Sequence, residues 1–368
     1  MKRIILLALF GIAHTVIEAQ EDTLRNIRLE EVSVNGTRAQ ENTPVSHVTI
    51  RNAEIKKIDL GQDAALHLER LSPSIVSYSD AGTNFGNYQN FRLRGMDQTR
   101  INITLNGVPL NDMLDQGVFF SNFIDFSNSM QSIQVQRGVG TSTNGTSSYA
   151  GSVNYESKSL YNEKPEAGLR ITGGSFGSLG LAAEASTGKT EKKLSAYGRM
   201  SRNISSGYKD YSGSNANSFF FSGGYLGEKH IVKFTGFAGK TQNHQSYNPV
   251  PKSQIDRNPK TNLNDPNDVD DFEQEMAQLQ YINFINNTLS FTSTAYYSGA
   301  RGYFPFTFFG DQYNYGIRND QYGAMANLNW NQNSWKVNGG LHAYIFNREN
   351  ATSISPDLEF PYYKDERE

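Results

Sequence analysis

Three stretches of the sequence place reactive residue types at spacings that could do chemistry. Gly140 to Ser147 has the skeleton of a phosphate loop, with Gly140 and Gly145 followed by Thr146-Ser147. Such a loop also needs a lysine that reaches the phosphates and a helix behind the glycines. Here the lysine is absent, and Ser152-Val-Asn-Tyr155 resumes the alternation of a strand. Gly173-Gly-Ser-Phe-Gly177 fits G-x-S-x-G, yet a nucleophile elbow turns from strand into helix. Alternation continues after Gly177, so this segment is expected to be a turn. The third stretch, His244 to Phe272, carries Asn264, Asp265, Asn267, Asp268, Asp270 and Asp271, followed by Glu273. Oxygen ligands at this density can hold Ca²⁺, but the order matches no defined calcium loop and reads as a solvated acidic loop.

The six histidines, at 14, 47, 67, 230, 244 and 342, show no paired ligand spacing. His67 is expected on a helix surface, and only His244, in a long loop, is placed to meet a metal-bearing substrate. No Ser/His/Asp set converges. The residues therefore point to no catalytic group, no cofactor and no resident metal, and the chain is read as a non-enzyme.

The elements that would position any site follow from composition and periodicity. The 368 residues hold 34 Lys and Arg against 37 Asp and Glu, a net charge of -3 that is too mild for a nucleic-acid partner. With no cysteine there is no disulfide, thiolate metal site or lipid-modified cysteine. Twenty tyrosines, 22 phenylalanines and 33 glycines against 11 prolines suit a many-stranded protein, whether barrel or sandwich. After residue 20 nothing approaches the ~20 apolar residues of a membrane helix. A membrane barrel stays open, because only alternate residues of its strands meet lipid.

Lys2-Arg3 and the apolar run Ile4 to Ile17, ending at Glu18-Ala19, have the form of a secretory signal peptide over 1–19. Asp63 to Leu71 reads as a short helix stopped by Ser72-Pro73. Strands are expected at about 167–175, 180–188, 193–205, 218–226, 230–242, 275–285, 288–302, 320–331 and 334–348. Their connections alternate short (188–192, 227–229, 286–287, 332–333) and long (206–217, 242–274, 303–319). Short turns at one rim and long loops at the other mark an outer-membrane barrel. In the last strand Trp335, Val337, Gly339, Leu341, Ala343 and Ile345 share one face, expected to meet lipid.

The segment Ile133 to Tyr155 is a strand, a glycine loop and a second strand. This unit resembles the end of the plug domain of TonB-dependent outer-membrane receptors. Gln136-Arg-Gly-Val-Gly-Thr-Ser-Thr-Asn-Gly145 is similar to the wording of the Bacteroidetes branch, with Tyr149-Ala-Gly151 where relatives often have Phe-Gly. Further likenesses are the helix before Ser72-Pro-Ser-Ile-Val76, the Arg94-Gly95 step, and Asn106-Gly-Val-Pro109 in place of Asp-Gly-Val-Pro. Asn-Gly keeps the chemistry of a type I′ turn.

The resemblance implies a mainly β chain with an α+β plug enclosed by a transmembrane antiparallel β-barrel. The domains implied are a periplasmic segment over 20–44, the plug over 45–158 and barrel over 164–368. About nine strands are expected here, against about 22 in a complete plugged barrel. The chain thus reads as the N-terminal piece of a longer receptor, and its short leader as leaving no room for an N-terminal signalling domain.

Leu29-Glu30-Glu31-Val32-Ser33-Val34 resembles the TonB box, a segment that adds a strand to its periplasmic partner TonB. Arg92, Arg94 and Arg137 are implied to face acids on the barrel wall. Ligand is implied to rest on the apical loops 79–90 and 111–120 and under the long barrel loops. There Phe85, Asn87, Tyr88, Tyr208, Tyr211, His244, Tyr247, Tyr303 and Phe304 are the candidate contacts. The implied function is TonB-dependent import of a large scarce nutrient through the outer membrane of a Gram-negative bacterium, with a ferric siderophore or other iron complex as cargo. A cobalamin or oligosaccharide receptor of the same fold, and a non-transporting surface-binding β protein, are the alternatives.

Overall fold

The computed structural model describes residues 38–39, 43–139, 148–333, 335–355 and 358–367, with side chains described as far as residue 353. The signal peptide, the TonB-box segment 29–34 and the glycine loop 140–147 lie outside the described residues.

The first half of the fold is a small mixed domain. β1 (His47–Arg51) leads into α1 (Asn52–Ile58) and α2 (Ala64–Leu71), which ends at Ser72 because Pro73 follows. A three-stranded sheet is made by β2 (Ile75–Ser79), β3 (Gln89–Leu93) and β4 (Met96–Asp97). A five-stranded sheet in the order β1-β7-β8-β5-β6 adds β5 (Ile101–Leu105), β6 (Val108–Pro109), β7 (Met130–Arg137) and β8 (Gly151–Ser157). Within it β5 runs parallel to β8.

One face of this sheet is apolar and carries Ile101, Ile103, Leu105, Val135 and Val153, all with no measurable exposure. The other face is also buried, so its polar side chains must pair among themselves. Thr104 donates to Asn154 at 2.8 Å, Gln136 to Gln134 at 3.0 Å, and Gln134 to the Ala39 carbonyl at 2.9 Å.

The second half is one open antiparallel sheet of ten strands, each paired with its neighbour in sequence. In order they are β9 (Glu166–Gly173), β10 (Leu179–Ser186), β11 (Leu194–Ser205), β12 (Ser214–Leu226) and β13 (His230–His244), then β14 (Val269–Phe284), β15 (Leu289–Phe308), β16 (Asp311–Gln332), β17 (Trp335–Ser355) and β18 (Leu358–Arg367). Burial alternates with period two. On β13, Ile231, Thr235 and Phe237 are buried, whereas Val232 and Phe234 are about two-fifths exposed.

The inward face seats the small domain. Phe237 stacks on Phe123 at 5.1 Å and meets Phe126 edge-on at 5.6 Å, while Phe220 closes on Phe126 at 6.3 Å. Gly239 on β13 faces the Asn122 carbonyl, and a Cβ there would collide with it. Outward, Leu169, Ile171, Leu181, Met200, Leu341 and Ile345 stay exposed.

Three expectations need correction. The long connection expected over 303–319 is instead a tight turn at Phe309-Gly310, with β15 and β16 running on to either side of it. Ladder bonds need no apolar side chain, so these strands continue where their apolar alternation has faded. A tenth strand, β18, is present where nine were expected, and it includes the charged Lys364-Asp-Glu-Arg367. His67 is also not on a surface: it is 1 % exposed, because barrel and domain together cover α2.

Candidate ligand cavity and the seam between domain and barrel

A cavity of about 550 Å³ opens between the 110–123 segment of the small domain and the inner face of β14 to β17. Its apolar wall includes Phe119, Phe123, Phe272, Phe304 and Phe346. Phe304 stacks on Tyr315 at 5.2 Å, a cross-strand pair that extends through Phe306 and Tyr313. Its charged groups are Asp112, Asp115 and Arg348.

Arg348 donates from Nη1 to Asp115 at 2.8 Å and to Asp112 at 3.3 Å, and from Nε to Asn350 at 2.9 Å. Asp112 also accepts the backbone N–H groups of Leu114 and Asp115, both at 2.8 Å, and the Asn319 amide at 2.6 Å. Burial pushes the Asp112 carboxyl upward, against those N–H groups and Arg348. The arrangement ties an apical loop to the barrel wall beside an aromatic cleft, which suits binding rather than bond-making.

The second apical loop, 79–90, is gripped from both sides. Asp63, at the start of α2, accepts the Gly86 N–H at 2.7 Å and a short bond from Gln89. Full burial pushes its carboxyl up to about 7 despite these donors. Asn87 donates to the carbonyls of Ser212 at 3.0 Å and His244 at 2.9 Å. Tyr88 is bonded to Asp270 of β14; burial and that acid push its phenol well up.

The sequence-nominated ligand residues therefore separate. Tyr88 and Phe304 line the cavity. Tyr303 lines a shallower neighbouring depression. Phe85 is buried beside Gly61 and Gly180, and Asn87 is enclosed in the seam. Tyr208 packs on Phe176 at 5.4 Å, and the ring of His244 lies 3.2 Å from the Pro266 carbonyl. Tyr211 and Tyr247 are half-exposed on outer loops. Sequence reasoning missed Asp112, Asp115, Asn319 and Arg348, although segment 111–120 was expected to face ligand.

The seam below carries most of the buried charge. Asp125 accepts from Arg170 Nη2 and Arg199 Nε, each at 2.6 Å, and Arg170 also bonds Asp59. Arg199 reaches Glu184 at 3.1 Å. Burial alone would raise the Asp125 carboxyl, but Arg199 and Arg170 outweigh it and hold it below the usual range. His67 lies 3.8 Å from Asp59, too far for a hydrogen bond, and burial outweighs the nearby acids to hold its imidazole below its ordinary value.

In the described ion pairs that arginine makes between domain and barrel, the arginine stands on the barrel and the acid on the domain, the reverse of the expected polarity; only the looser Lys56–Glu184 pair, at 3.8 Å, has its acid on the barrel. Arg92 and Arg94 are exposed on the small domain, and Arg137 donates to Ser74 at 3.2 Å and Ser46 at 2.5 Å within it. The acidic run 264–273, expected as loop, enters β14 at Val269, and its acids are engaged one by one. Asp268 accepts from Thr307 at 2.8 Å, and Asp271 from Gln242 at 2.7 Å. Among the described residues no group of three His, Cys, Asp or Glu side chains gathers as a metal site.

A mixed α/β domain seated by aromatic stacking and buried ion pairs against the inner face of an antiparallel β-wall defines a plugged β-barrel. Residues 39–152 match the family model described as the TonB-dependent Receptor Plug Domain. The small domain thus matches the TonB-dependent receptor plug family, and the open ten-stranded sheet follows it.

Solved structures with this fold include the ferric yersiniabactin uptake receptor FyuA from Yersinia pestis. It is 14 % identical at TM-score 0.69, with 85 % of this chain and 50 % of that one covered. The ferric citrate transporter FecA in its unliganded form is 14 % identical at 0.72, covering 84 % and 48 %. The copper transporter OprC is 16 % identical at 0.69, covering 89 % and 49 %. The chain thus spans about half the length of each. No curated protein matches it.

Proposed function

We propose that the full-length protein imports a scarce nutrient across the outer membrane of a Gram-negative bacterium, driven by TonB. The observation that carries this reading is the plug itself. It fills the inner face of the barrel, presents a cavity at its apical loops, and is held by ion pairs that a pull can rearrange. TonB would bind Leu29–Val34 by strand addition. The cargo best supported is an iron complex, in line with the ferric ligands in the names of FyuA and FecA. The protein catalyses no covalent step, and its energy comes from the partner.

Two measurements test this. The full-length protein should rise in outer-membrane fractions on iron starvation. Deleting residues 29–34 should abolish uptake while surface binding persists. Absence from the outer membrane, or uptake unaffected by the deletion, would sink the importer; import without iron response would move the cargo away from iron, with copper next because of the OprC likeness.

A further inference from the structure

We infer that the cavity takes an uncharged or positively charged ligand with apolar flanks and N–H donors, and discriminates against polyanionic ligands. This rests on the import reading and narrows the chemical class of its cargo.

Charge is the first argument. The described lining carries two carboxylates, Asp112 and Asp115, against one guanidinium, Arg348. That guanidinium is 8 % exposed and already bonds both acids through Nη1. An anion entering the cleft gains little from a cation so neutralised and meets an excess negative charge with low-dielectric walls around it. A neutral ligand escapes this cost, and a cationic one is favoured.

Hydrogen bonding gives a second, independent argument. Asn319 is 9 % exposed and lines the same cavity. Its Nδ2 donates to Asp112, an acceptor when ionised, which fixes the amide orientation and leaves Oδ1 without a partner. An unpartnered buried acceptor is satisfied by a ligand N–H and made worse by another anion.

The surroundings agree. Tyr88, on the cavity wall, is bonded to Asp270, while Asp268 fastens Thr307 and Gln312 just outside. The acidic run 264–273, which leads from loop into β14, thereby borders the cleft, and its field opposes approach of negative charge. The aromatic wall of Phe119, Phe304, Phe346 and Tyr315 offers area to alkyl or planar surface whatever its charge.

The test is calorimetric titration of the detergent-purified full-length receptor at low ionic strength. Three probes share a ferric centre and differ in charge: an uncharged tris-hydroxamate complex, an amine-bearing monocationic one, and the trianionic tris-catecholate. The first two should bind at least roughly tenfold tighter than the trianion. Asp115→Asn should raise the ratio of trianion affinity to uncharged-complex affinity about tenfold, since it partly frees the Arg348 guanidinium. Arg348→Gln is the opposite arm: the monocation should gain and the trianion weaken further. Preference for the trianion, an unmoved ratio in both variants, or no binding of any probe would overturn the assignment. Import is judged separately by the 29–34 deletion, so a receptor that takes up a trianionic complex keeps the import reading and loses this one.

Discussion

At the scale of single residues, Asp125 is where plug and barrel hold each other. A buried carboxylate facing two arginines gains from both, and its removal leaves Arg170 with Asp59 alone and Arg199 with Glu184 alone. Asp125→Asn is expected to destabilise the plug by about 3 kcal/mol, read as a lower denaturant midpoint and faster trypsin cleavage of the full-length receptor. Arg202→Gln, exposed on the outer face of β11, should change neither.

Asp63 makes a pH-dependent prediction. Folded, it keeps its proton to about 7, against 3.8 for the ordinary carboxyl. Between those values the folded state binds more protons than the unfolded one, so stability falls as pH rises through the window and levels off above about 7. Asp63→Asn removes this part of the slope. Relative to the variant, the wild type should lose on the order of 3 kcal/mol between pH 4 and pH 8 in denaturant titrations. A flat difference would show that Asp63 is charged throughout. His67 pulls the slope the other way on the acid side, which is why the comparison is made with the variant.

None of this chemistry was legible in the sequence. Asp59, Asp63 and Asp125 sit in ordinary turn and helix-start contexts, and the arginines that pair with Asp59 and Asp125 lie more than 40 residues away on strands read only for alternation. The arginines that did attract attention, Arg92, Arg94 and Arg137, stand in strands and turns of the plug, where the family resemblance and not a local pattern gave them a role.

At the scale of elements, strands were legible wherever one face is apolar and dim where it is not. Trp335 to Ile345 declares its outward face by strict alternation. The even positions of the same strand, continued past Tyr344, lead to Phe346 and Arg348 on the cavity wall, so parity was the one signal that could have nominated Arg348. The upper ends of β15 and β16 carry aromatic and polar residues on both faces, and only their ladder bonds show them to be strands.

The 79–90 loop was recognised by its Gly, Asn and Asp content, but its grip on the barrel was not, since backbone carbonyls leave no mark in sequence. Asn87 holds that grip at φ 71°, a left-handed conformation that asparagine tolerates. Asn87→Ala should cost about 3 kcal/mol, from backbone strain and from the stranded Ser212 and His244 carbonyls. Asn87→Gly removes the donors without the strain and should fall between alanine and wild type in thermal midpoint. Equal midpoints for the two variants would place the whole effect in the hydrogen bonds.

At the scale of the whole molecule, the outward band decides what solvent surrounds the sheet. Leu341 is 81 % exposed and Trp335 71 %, on the same outer face as Val337 and Ile345. In water, replacing a side chain as open as Leu341 by lysine would be close to neutral, because no contact is lost and solubility rises. In a bilayer the same change places an ammonium group against hydrocarbon, at a cost of about 2–4 kcal/mol near the midplane. Asn338→Lys is the paired control: Asn338 is on the opposite face, beside Asn329, where charge is already tolerated as at Lys336. Leu341→Lys is therefore expected to lower the folded, heat-modifiable fraction of the full-length protein in outer membranes, and Asn338→Lys to leave it nearly unchanged. If both variants fold as well as wild type, the outward face meets water and the barrel reading fails, because a lipid-facing leucine cannot become a lysine without cost.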